Sequence, residues 1–262
     1  MSKICPLYSS SSGNSIYIGT KNGAILVDAG ASLKGITARL SAADAEISEI
    51  VAVAVTHEHI DHINGLHAVL NKTGAVLITS AKTFEILKTK NCIPTKTKVE
   101  IANENTADIC GIAVSRFATS HDCDGSSGYT FILPDGKKVA VCTDLGVVTN
   151  EVHNALLGSD LVLLESNHDV EMLKKGPYPP QLKMRILSDR GHLSNAASAT
   201  EIKALFQNGT KRFILGHLSQ HNNTPLLAKS TATSALIDLG AAADKDYLLS
   251  VAKPTGSGVT VI

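Results

Sequence analysis

The chain has 262 residues, of which 44% are apolar and 18% are charged, a composition typical of an ordinary globular protein. Lys plus Arg and Asp plus Glu each number 24, so a net charge of zero gives no support for tight non-specific binding to nucleic acid. The absence of Trp and an aromatic content of 4% argue against an extended base-stacking surface.

The N-terminal residues lack the apolar segment of a signal peptide, and no apolar run in the sequence is long enough to span a bilayer. The cysteines are scattered and form no CxxC pair: Cys5, Cys92, Cys110, Cys123 and Cys142. An odd number of such cysteines indicates unpaired thiols in a reducing compartment. We therefore expect a cytoplasmic protein that does not associate with a membrane.

In the first half of the chain, apolar runs predict strands at residues 4–8, 15–19, 24–28, 50–55 and 76–79. Helices are expected at residues 32–40, 62–70 and 82–88, with Ser32 as the N-cap of the first. Residues 9–15, SSSSGNS, are rich in turn-forming residues and predict a hairpin loop.

In the second half, strands are expected at residues 98–101, 107–119, 128–133, 138–142, 161–164, 213–215, 247–251 and 259–262. Helices are expected at residues 150–157, at 194–207 with Glu201 and Lys203 facing outward, and from Thr224, which caps a helix opened by Pro225. Strand-rich halves with helices between them predict an α/β fold, in which two mixed sheets pack face to face with helices outside.

A polar or metal-binding side chain comes at or just after the end of five predicted strands: His57, His121, Asp144, Glu165 and His217. Enzymes built on sheets collect their functional side chains at strand ends, where loops form a pocket. This recurrence predicts that residues far apart in the sequence meet in one site.

The densest motif is residues 56–62, THEHIDH, which directly follows the buried strand at 50–55. His57 and His59 alternate and can point to the same side, while Asp61 and His62 fall where the chain turns into a helix. Imidazole nitrogen suits zinc and similar divalent ions. Four such side chains in six residues can serve two neighbouring ions, as in metal-assisted hydrolysis. A surface turn or hydrogen-bonded buried histidines would be the alternative, but neither accounts for the whole cluster.

More ligands must come from elsewhere in the chain, and His121, Asp144 and His217 are the candidates because each follows a strand. Asp144 is the best candidate to bridge two ions, since a carboxylate has two oxygens. Any one of these residues could be structural when taken alone. Their matching positions favour a shared role.

The ordered set from His57 to His217 resembles the metallo-β-lactamase superfamily along nearly the whole chain. The resemblance implies one domain over residues 1–262, an αβ/βα four-layer sandwich with two metal ions at one edge. It assigns His57, His59 and His121 to the first ion. It assigns Asp61, His62 and His217 to the second ion, and Asp144 to a position that bridges the two ions. Asp28 matches a position that supports the site from outside. Zinc is expected in a histidine-rich site, with manganese as the alternative.

Shorter segments narrow the resemblance to the bacterial YycJ/WalJ-type proteins: residues 11–15 (SSGNS), 143–146 (TDLG), 165–169 (ESNHD), 176–179 (GPYP), 187–195 (LSDRGHLSN) and 216–219 (GHLS). That family implies 5′→3′ exonuclease activity on DNA and a link to a two-component regulatory locus of the cell wall. DNA is therefore the expected partner, as substrate.

Residues 191–194, GHLS, together with Glu165, are similar to the catalytic loop of the tRNA 3′-processing endonucleases. The similarity implies that His192 protonates the leaving oxygen and that Glu165 orients His192. In the expected mechanism, Asp61 orients the attacking water as well as binding metal. The interval from Asp144 to His217 is too short for the extra domain of the β-CASP relatives, and no basic arm for gripping tRNA is evident. The implied reaction is phosphodiester hydrolysis by a water activated between two ions.

Two other functions remain open at this point. A thioester or lactone hydrolase of the glyoxalase II type would use the same metal motif, and a regulatory protein could retain the fold without catalysis. Substrate contacts are expected from Ser12, Asn14 and His168, although turn residues would look the same. Lysines and arginines at 174, 175, 183, 185 and 190 could grip phosphate or simply solvate a surface. Cys123 and Cys142 are more plausibly buried thiols than metal ligands.

Overall fold

The computed structural model describes residues 2–102 and 106–262. The strands in this part of the chain are β1 Lys3–Ser10, β2 Gly13–Thr20, β3 Gly23–Val27, β4 Ile50–Ala54, β5 Val76–Thr79, β6 Val99–Ile101, β7 Ala107–Ile109, β8 Ile112–Ala118, β9 Ser127–Ile132, β10 Lys138–Cys142, β11 Leu161–Glu165, β12 Arg212–Gly216, β13 Leu248–Val251 and β14 Thr260–Val261. The helices are α1 Leu33–Ser41, α2 Ile60–Ile63, α3 Leu66–Thr73, α4 Ala81–Thr89, α5 Asn150–Leu156, α6 Val170–Lys175, α7 Pro180–Leu187, α8 Asn195–Gln207 and α9 Pro225–Ile237.

The strands form two seven-stranded mixed sheets, ordered β14-β1-β2-β3-β4-β5-β6 and β13-β12-β11-β10-β9-β8-β7. In each sheet four neighbouring strands run parallel, from β3 to β6 and from β10 to β13. Helices connect these parallel strands, as a parallel crossover requires. The carboxyl ends of the parallel strands therefore share one edge of each sheet.

Three apolar clusters define the layers. The first lies between the sheets and contains, for example, Ile18 and Ile25 of one sheet and Phe131 and Leu163 of the other. The second packs α1, α3 and α4 on the outer face of the first sheet, and the third packs α5, α8 and α9 on the outer face of the second. Both faces of each sheet are thus covered, which explains why β11 is buried along its whole length. The predicted αβ/βα four-layer sandwich is confirmed.

Several predicted elements differ in detail. The segment predicted as one strand at 107–119 is a hairpin of β7 and β8, whose turn places Cys110 and Gly111 at φ 55° and 81°. The predicted hairpin loop at 9–15 is shorter, because β1 and β2 pair as far as Ser10 and Gly13. The helix expected at 62–70 is interrupted at Gly65, where a Cβ would lie 2.0 Å from the carbonyl oxygen of Ala31.

Helices α6 and α7 were not predicted, because both are short and the glycine- and proline-rich residues 176–179 separate them. The expectation that Glu201 faces outward is wrong. Glu201 is 6% exposed and pairs with His153, whose Nδ1 lies 2.9 Å from the Glu201 Oε1. No helix in the described part of the chain is long and apolar enough to cross a membrane.

Candidate metal centre and active site

The candidate site lies at the carboxyl ends of the parallel strands. Asp28 follows β3, His57 follows β4, Asp144 follows β10, Glu165 ends β11 and His217 follows β12. Three of these residues adopt left-handed backbone, with φ of 61° at Asp28, 59° at Asp144 and 54° at His217. Such strain costs about 1–3 kcal/mol per residue and persists where the surrounding structure imposes it, which is common at functional sites.

The first group of ligand-type side chains is His57, His59 and His121, with one ring nitrogen of each within 4.8 Å of the others. The Nε2 of His57 lies 3.0 Å from the Nδ1 of His59. His57 and His121 are buried, while His59 is half-buried and lines a cavity. The third residue arrives from the loop after β8, so the sheets contribute jointly to this group.

The second group is Asp61, His62 and His217, with donor atoms also within 4.8 Å of one another. The Oδ2 of Asp61 lies 3.4 Å from the Nε2 of His62 and 3.8 Å from the Nε2 of His217. Asp144 lies between the groups: its Oδ2 is 3.4 Å from the Nε2 of His62, and its Oδ1 is 3.9 Å from the Nε2 of His121. We refer to these residues together as the ligand cluster: His57, His59, Asp61, His62, His121, Asp144 and His217.

The outward ring nitrogens of the ligand cluster are anchored by other groups. The Nδ1 of His62 lies 2.7 Å from Asp28, and the Nδ1 of His121 lies 3.0 Å from the carbonyl oxygen of Gly191. Both carboxylate oxygens of Asp28 are engaged, because Asp28 also accepts hydrogen bonds from the backbone N–H and the hydroxyl of Thr56, each at 2.8 Å. Asp28 therefore orients His62 and is placed to support the site from outside, as the resemblance implies.

Three inward-facing atoms of the ligand cluster are not satisfied by hydrogen bonds. Within the described residues, the Nε2 of His121, the Nε2 of His217 and the Oδ2 of Asp144 are buried and make no hydrogen bond. Buried polar atoms normally have a partner, since an unmatched one costs about 1–3 kcal/mol. Convergent nitrogen and carboxylate donors fit divalent ions. The residues present therefore fit the divalent metal ions that the sequence predicts.

Electrostatics within the cluster match this arrangement. Burial would lower the pKa of His62, but Asp144 and Asp28 raise it to about 10. Burial would raise the pKa of Asp144, but His217 and His62 hold it well below its usual range. Burial lowers the pKa of His57. Without a cation the buried carboxylates are balanced by protons on histidines, and a bound cation would displace those protons.

Glu165 contacts both a ligand-type histidine and the predicted general acid. Its Oε1 lies 2.9 Å from the Nδ1 of His192 and 2.7 Å from the Nδ1 of His217. Its Oε2 accepts the backbone N–H groups of Leu145 and Leu193 at 3.2 and 3.0 Å. Both oxygens are thus used, and these contacts place Glu165 to position His192 and His217. The sequence analysis predicted a contact of Glu165 with His192 alone and missed the contact with His217. That second contact arises because Glu165, at the end of β11, pairs with Gly216 of β12, the residue before His217.

The charge of Glu165 complements these histidines. Burial would raise the pKa of Glu165, but His192 and His217 lower it to about 2. Burial would lower the pKa of His192, but Glu165 raises it above its usual value. His192 lines the cavity beside Asp144 and His217, with 19% of its side chain exposed. With its Nδ1 held by Glu165, the Nε2 is the atom left to exchange a proton.

The predicted substrate residues are placed differently from expectation. Asn14 is 3% exposed, and its Nδ2 lies 3.2 Å from the Oδ2 of Asp61 and 3.1 Å from the Nε2 of His62, so it contacts the ligand cluster itself. Ser12 sits in the turn after β1 and contacts Ser10. His168 is 1% exposed, and burial lowers its pKa to about 4. These positions do not support direct substrate contact by Asn14 or His168.

A cavity of about 380 Å³ opens over the ligand cluster, and its lining includes Asp61, Asp144, His192 and His217. Ser11, rather than Ser12, contributes from the serine-rich turn. The volume of this cavity falls within the range of small-ligand sites. A substrate group in this cavity would reach both the candidate metal centre and the candidate general acid.

The basic residues near His192 are mostly paired. Arg185 binds Asp122, and the Nη2 of Arg190 lies 3.2 Å from Asp124. Asp122 was missed by sequence reasoning, although its Oδ1 lies 3.5 Å from the Nε2 of His59. The Sγ of Cys123 lies 3.3 Å from the same nitrogen. These contacts brace His59 from the side facing away from His57.

Residues 24–218 match the family model described as a β-lactamase superfamily domain. The chain is 37% identical over 246 residues to the exodeoxyribonuclease WalJ of Streptococcus pneumoniae, covering 91% of this chain and 90% of WalJ. It is 36% identical over 235 residues to the exodeoxyribonuclease YycJ of Bacillus anthracis, covering 89% of each. Its structure is similar to that of the metallo-β-lactamase fold protein YhfI from Bacillus subtilis, with a TM-score of 0.74, 15% identity and coverage of 99% and 98% of the two chains.

Proposed function

This chain belongs to the β-lactamase superfamily, in the family of the WalJ and YycJ exodeoxyribonucleases, and on that basis we propose that it is a metal-dependent exodeoxyribonuclease acting in the 5′→3′ direction. The observation that carries the proposal is the Glu165–His192 pair beside the ligand cluster. Metal-assisted hydrolysis of an activated ester needs no strong acid for the leaving group. Cleavage of a phosphodiester releases a sugar oxygen, which benefits from a proton.

In this proposal the ligand cluster holds two divalent ions, with zinc expected and manganese as the alternative. His57, His59 and His121 would hold one ion, Asp61, His62 and His217 would hold the other, and Asp144 would be shared between the two. When bound, such ions supply positive charge to a phosphate and acidify a water molecule. Asp28 and Glu165 stay outside the metal shell and hold the ring planes of His62 and His217.

The remaining steps belong to the side chains that line the cavity. Asp61 orients the attacking water, since its carboxylate is partly exposed there and is held by Asn14. His192 donates a proton from Nε2 to the leaving oxygen, and Glu165 keeps the imidazole charged and correctly turned. General acid catalysis of this kind contributes ~10²- to 10⁴-fold to a rate.

The proposal is tested by digesting DNA labelled at its 5′ or at its 3′ end, after the protein is loaded with zinc or manganese. A 5′→3′ exonuclease releases a labelled mononucleotide from the 5′-labelled strand at the earliest times, while the 3′ label stays on shortening fragments. The same preparations are assayed on thioester and lactone substrates. Thioester hydrolysis with intact DNA would replace the proposal with the glyoxalase II type of activity, and inactivity on every substrate with no bound metal would favour a regulatory protein.

A further inference from the structure

Tyr178 lies between α6 and α7 and lines the same cavity as Asp144 and His192. Among the cavity-lining residues it is the one Phe or Tyr, and its side chain is half-buried. By contrast, Tyr17 and Tyr129 are at most 3% exposed and belong to the core. The chain has too few aromatic residues for an extended stacking surface, but Tyr178 places one aromatic ring at the mouth of the candidate active site.

The backbone around Tyr178 is stiff. Its sequence is Gly176-Pro177-Tyr178-Pro179-Pro180, and prolines fix their own φ and restrict the residue that precedes them to extended conformations. A Cβ on Gly176 would lie 2.4 Å from the Oδ1 of Asn222, so the segment packs closely against the loop after β12. The ring of His221 meets the Tyr178 ring edge-on at 5.7 Å. The tyrosine is therefore held in place before any ligand binds.

Apolar side chains accompany Tyr178 in the lining of the cavity. Ile60 directly follows His59, lines the cavity and is 70% exposed. Leu182 of α7 also lines the cavity. Asp144 and His217 of the ligand cluster are more deeply buried than these residues, at 2% exposed each. The cavity thus has a polar, charged interior, and its outer part combines these apolar and aromatic side chains with the exposed Ser11 and Arg185.

We propose that Tyr178, together with Ile60 and Leu182, forms a subsite that stacks the terminal base of the DNA strand while the scissile phosphodiester lies at the ligand cluster. This inference rests on the proposed nuclease function and adds the part of the substrate that the outer part of the cavity recognises. Every base has a π-face, so stacking on tyrosine accepts all four bases, as an exonuclease that degrades mixed sequence requires. The cavity, at about 380 Å³, suits a single nucleotide.

The test uses two single-stranded oligonucleotides that differ only at the terminal nucleotide, which carries a base in one and is abasic in the other. Wild type, Tyr178→Ala, Tyr178→Phe and Met184→Ala are compared. Met184 is a matched control, because it lies on helix α7 close to Tyr178 in the sequence, is 64% exposed and does not line the cavity. Thermal unfolding of each variant checks that the fold is kept.

Tyr178→Ala is expected to raise KM for the base-bearing substrate about 5- to 150-fold, equivalent to ~1–3 kcal/mol, and to leave KM for the abasic substrate at the wild-type value. The KM values of Tyr178→Phe and Met184→Ala are expected to stay within about twofold of wild type on both substrates, since both variants keep the aromatic face at position 178. If Tyr178→Ala unfolds, Ile60→Ser provides the same comparison, with a smaller rise in KM confined to the base-bearing substrate.

The outcomes separate the two proposals. An unchanged KM for Tyr178→Ala, or an equal rise on both substrates, would overturn the stacking subsite while DNA digestion by the wild type upheld the nuclease function. A wild-type protein that digests neither oligonucleotide would overturn the nuclease function, and the subsite with it.

Discussion

Glu165 contacts both a candidate metal ligand and the candidate general acid, so its replacement is expected to affect metal binding and proton transfer together. Glu165→Gln keeps the shape of the side chain but replaces one acceptor oxygen with an NH₂ donor. The carboxylate accepts from four groups: the Nδ1 atoms of His192 and His217, and the N–H groups of Leu145 and Leu193. Whichever way the amide turns, its NH₂ group faces two of these donors in a buried site.

The size of the effect follows from those contacts. Each buried donor left without an acceptor costs ~1–3 kcal/mol. If the NH₂ group faces the histidines, each Nδ1 must become an acceptor, and His217 then carries its proton on the Nε2 that faces the ligand cluster. A protonated nitrogen cannot bind a cation. We expect metal affinity to fall ~10- to 100-fold, as for other residues that orient ligands, and kcat to fall ~10²- to 10⁴-fold because His192 is no longer held charged.

The matched variant is His192→Ala, which removes the general acid and leaves the contact between Glu165 and His217 intact. Metal affinity is measured by competition with a chelator, and kcat by single-turnover digestion of end-labelled DNA at saturating metal. His192→Ala is expected to lower kcat ~10²- to 10⁴-fold with unchanged metal affinity. The reasoning is refuted if His192→Ala loses metal while activity per bound metal stays constant, or if Glu165→Gln behaves as wild type in both assays.

Three further variants test how the site is supported. Asp28→Ala should weaken metal binding ~10- to 100-fold in the chelator assay, because the histidine it orients loses its anchor; wild-type affinity would contradict that role. Gly30→Ala should lower the melting temperature and the bound metal content, because the new Cβ would lie 1.7 Å from the carbonyl oxygen of Asp61, whereas Gly258→Ala meets nothing within 4 Å and should be neutral. Glu201→Ala should lower the free energy of unfolding by ~1 kcal/mol in urea titrations with kcat unchanged, since its part-buried hydrogen bond with His153 lies outside the ligand cluster; a loss of kcat would contradict this.

The residues of the candidate metal centre could be predicted because strand ends are visible in the sequence. His57, Asp144 and His217 each follow a β-branched or apolar run, and parallel strands bring such ends to one edge. The roles of Asn14 and Glu165 were only partly visible. Asn14 pairs with residues 47 and 48 positions away, and Glu165 meets His217 through strand pairing, so neither contact leaves a local pattern.

Tertiary contacts also explain the elements that sequence patterns missed. Helices α6 and α7 are too short to show a clear period, and they are positioned by distant partners such as Asp122, which binds Arg185. Glu201 lies on α8, which packs against α9, and it pairs with His153 of α5, so a charged residue that periodicity places outside is buried. The left-handed backbone of Asp144 and His217 uses residue types that adopt this region more readily than most, but no local sequence pattern predicted it.

Stepwise metal reconstitution tests the two-metal nuclease most directly. Protein stripped with a chelator is titrated with zinc or with manganese while bound metal and release of nucleotides from 5′-end-labelled DNA are followed in the same samples. We predict no nuclease activity in the stripped protein and full activity as the second equivalent binds to the ligand cluster. Activity that survives complete removal of metal, or a metal-saturated protein that leaves DNA intact, would contradict the prediction.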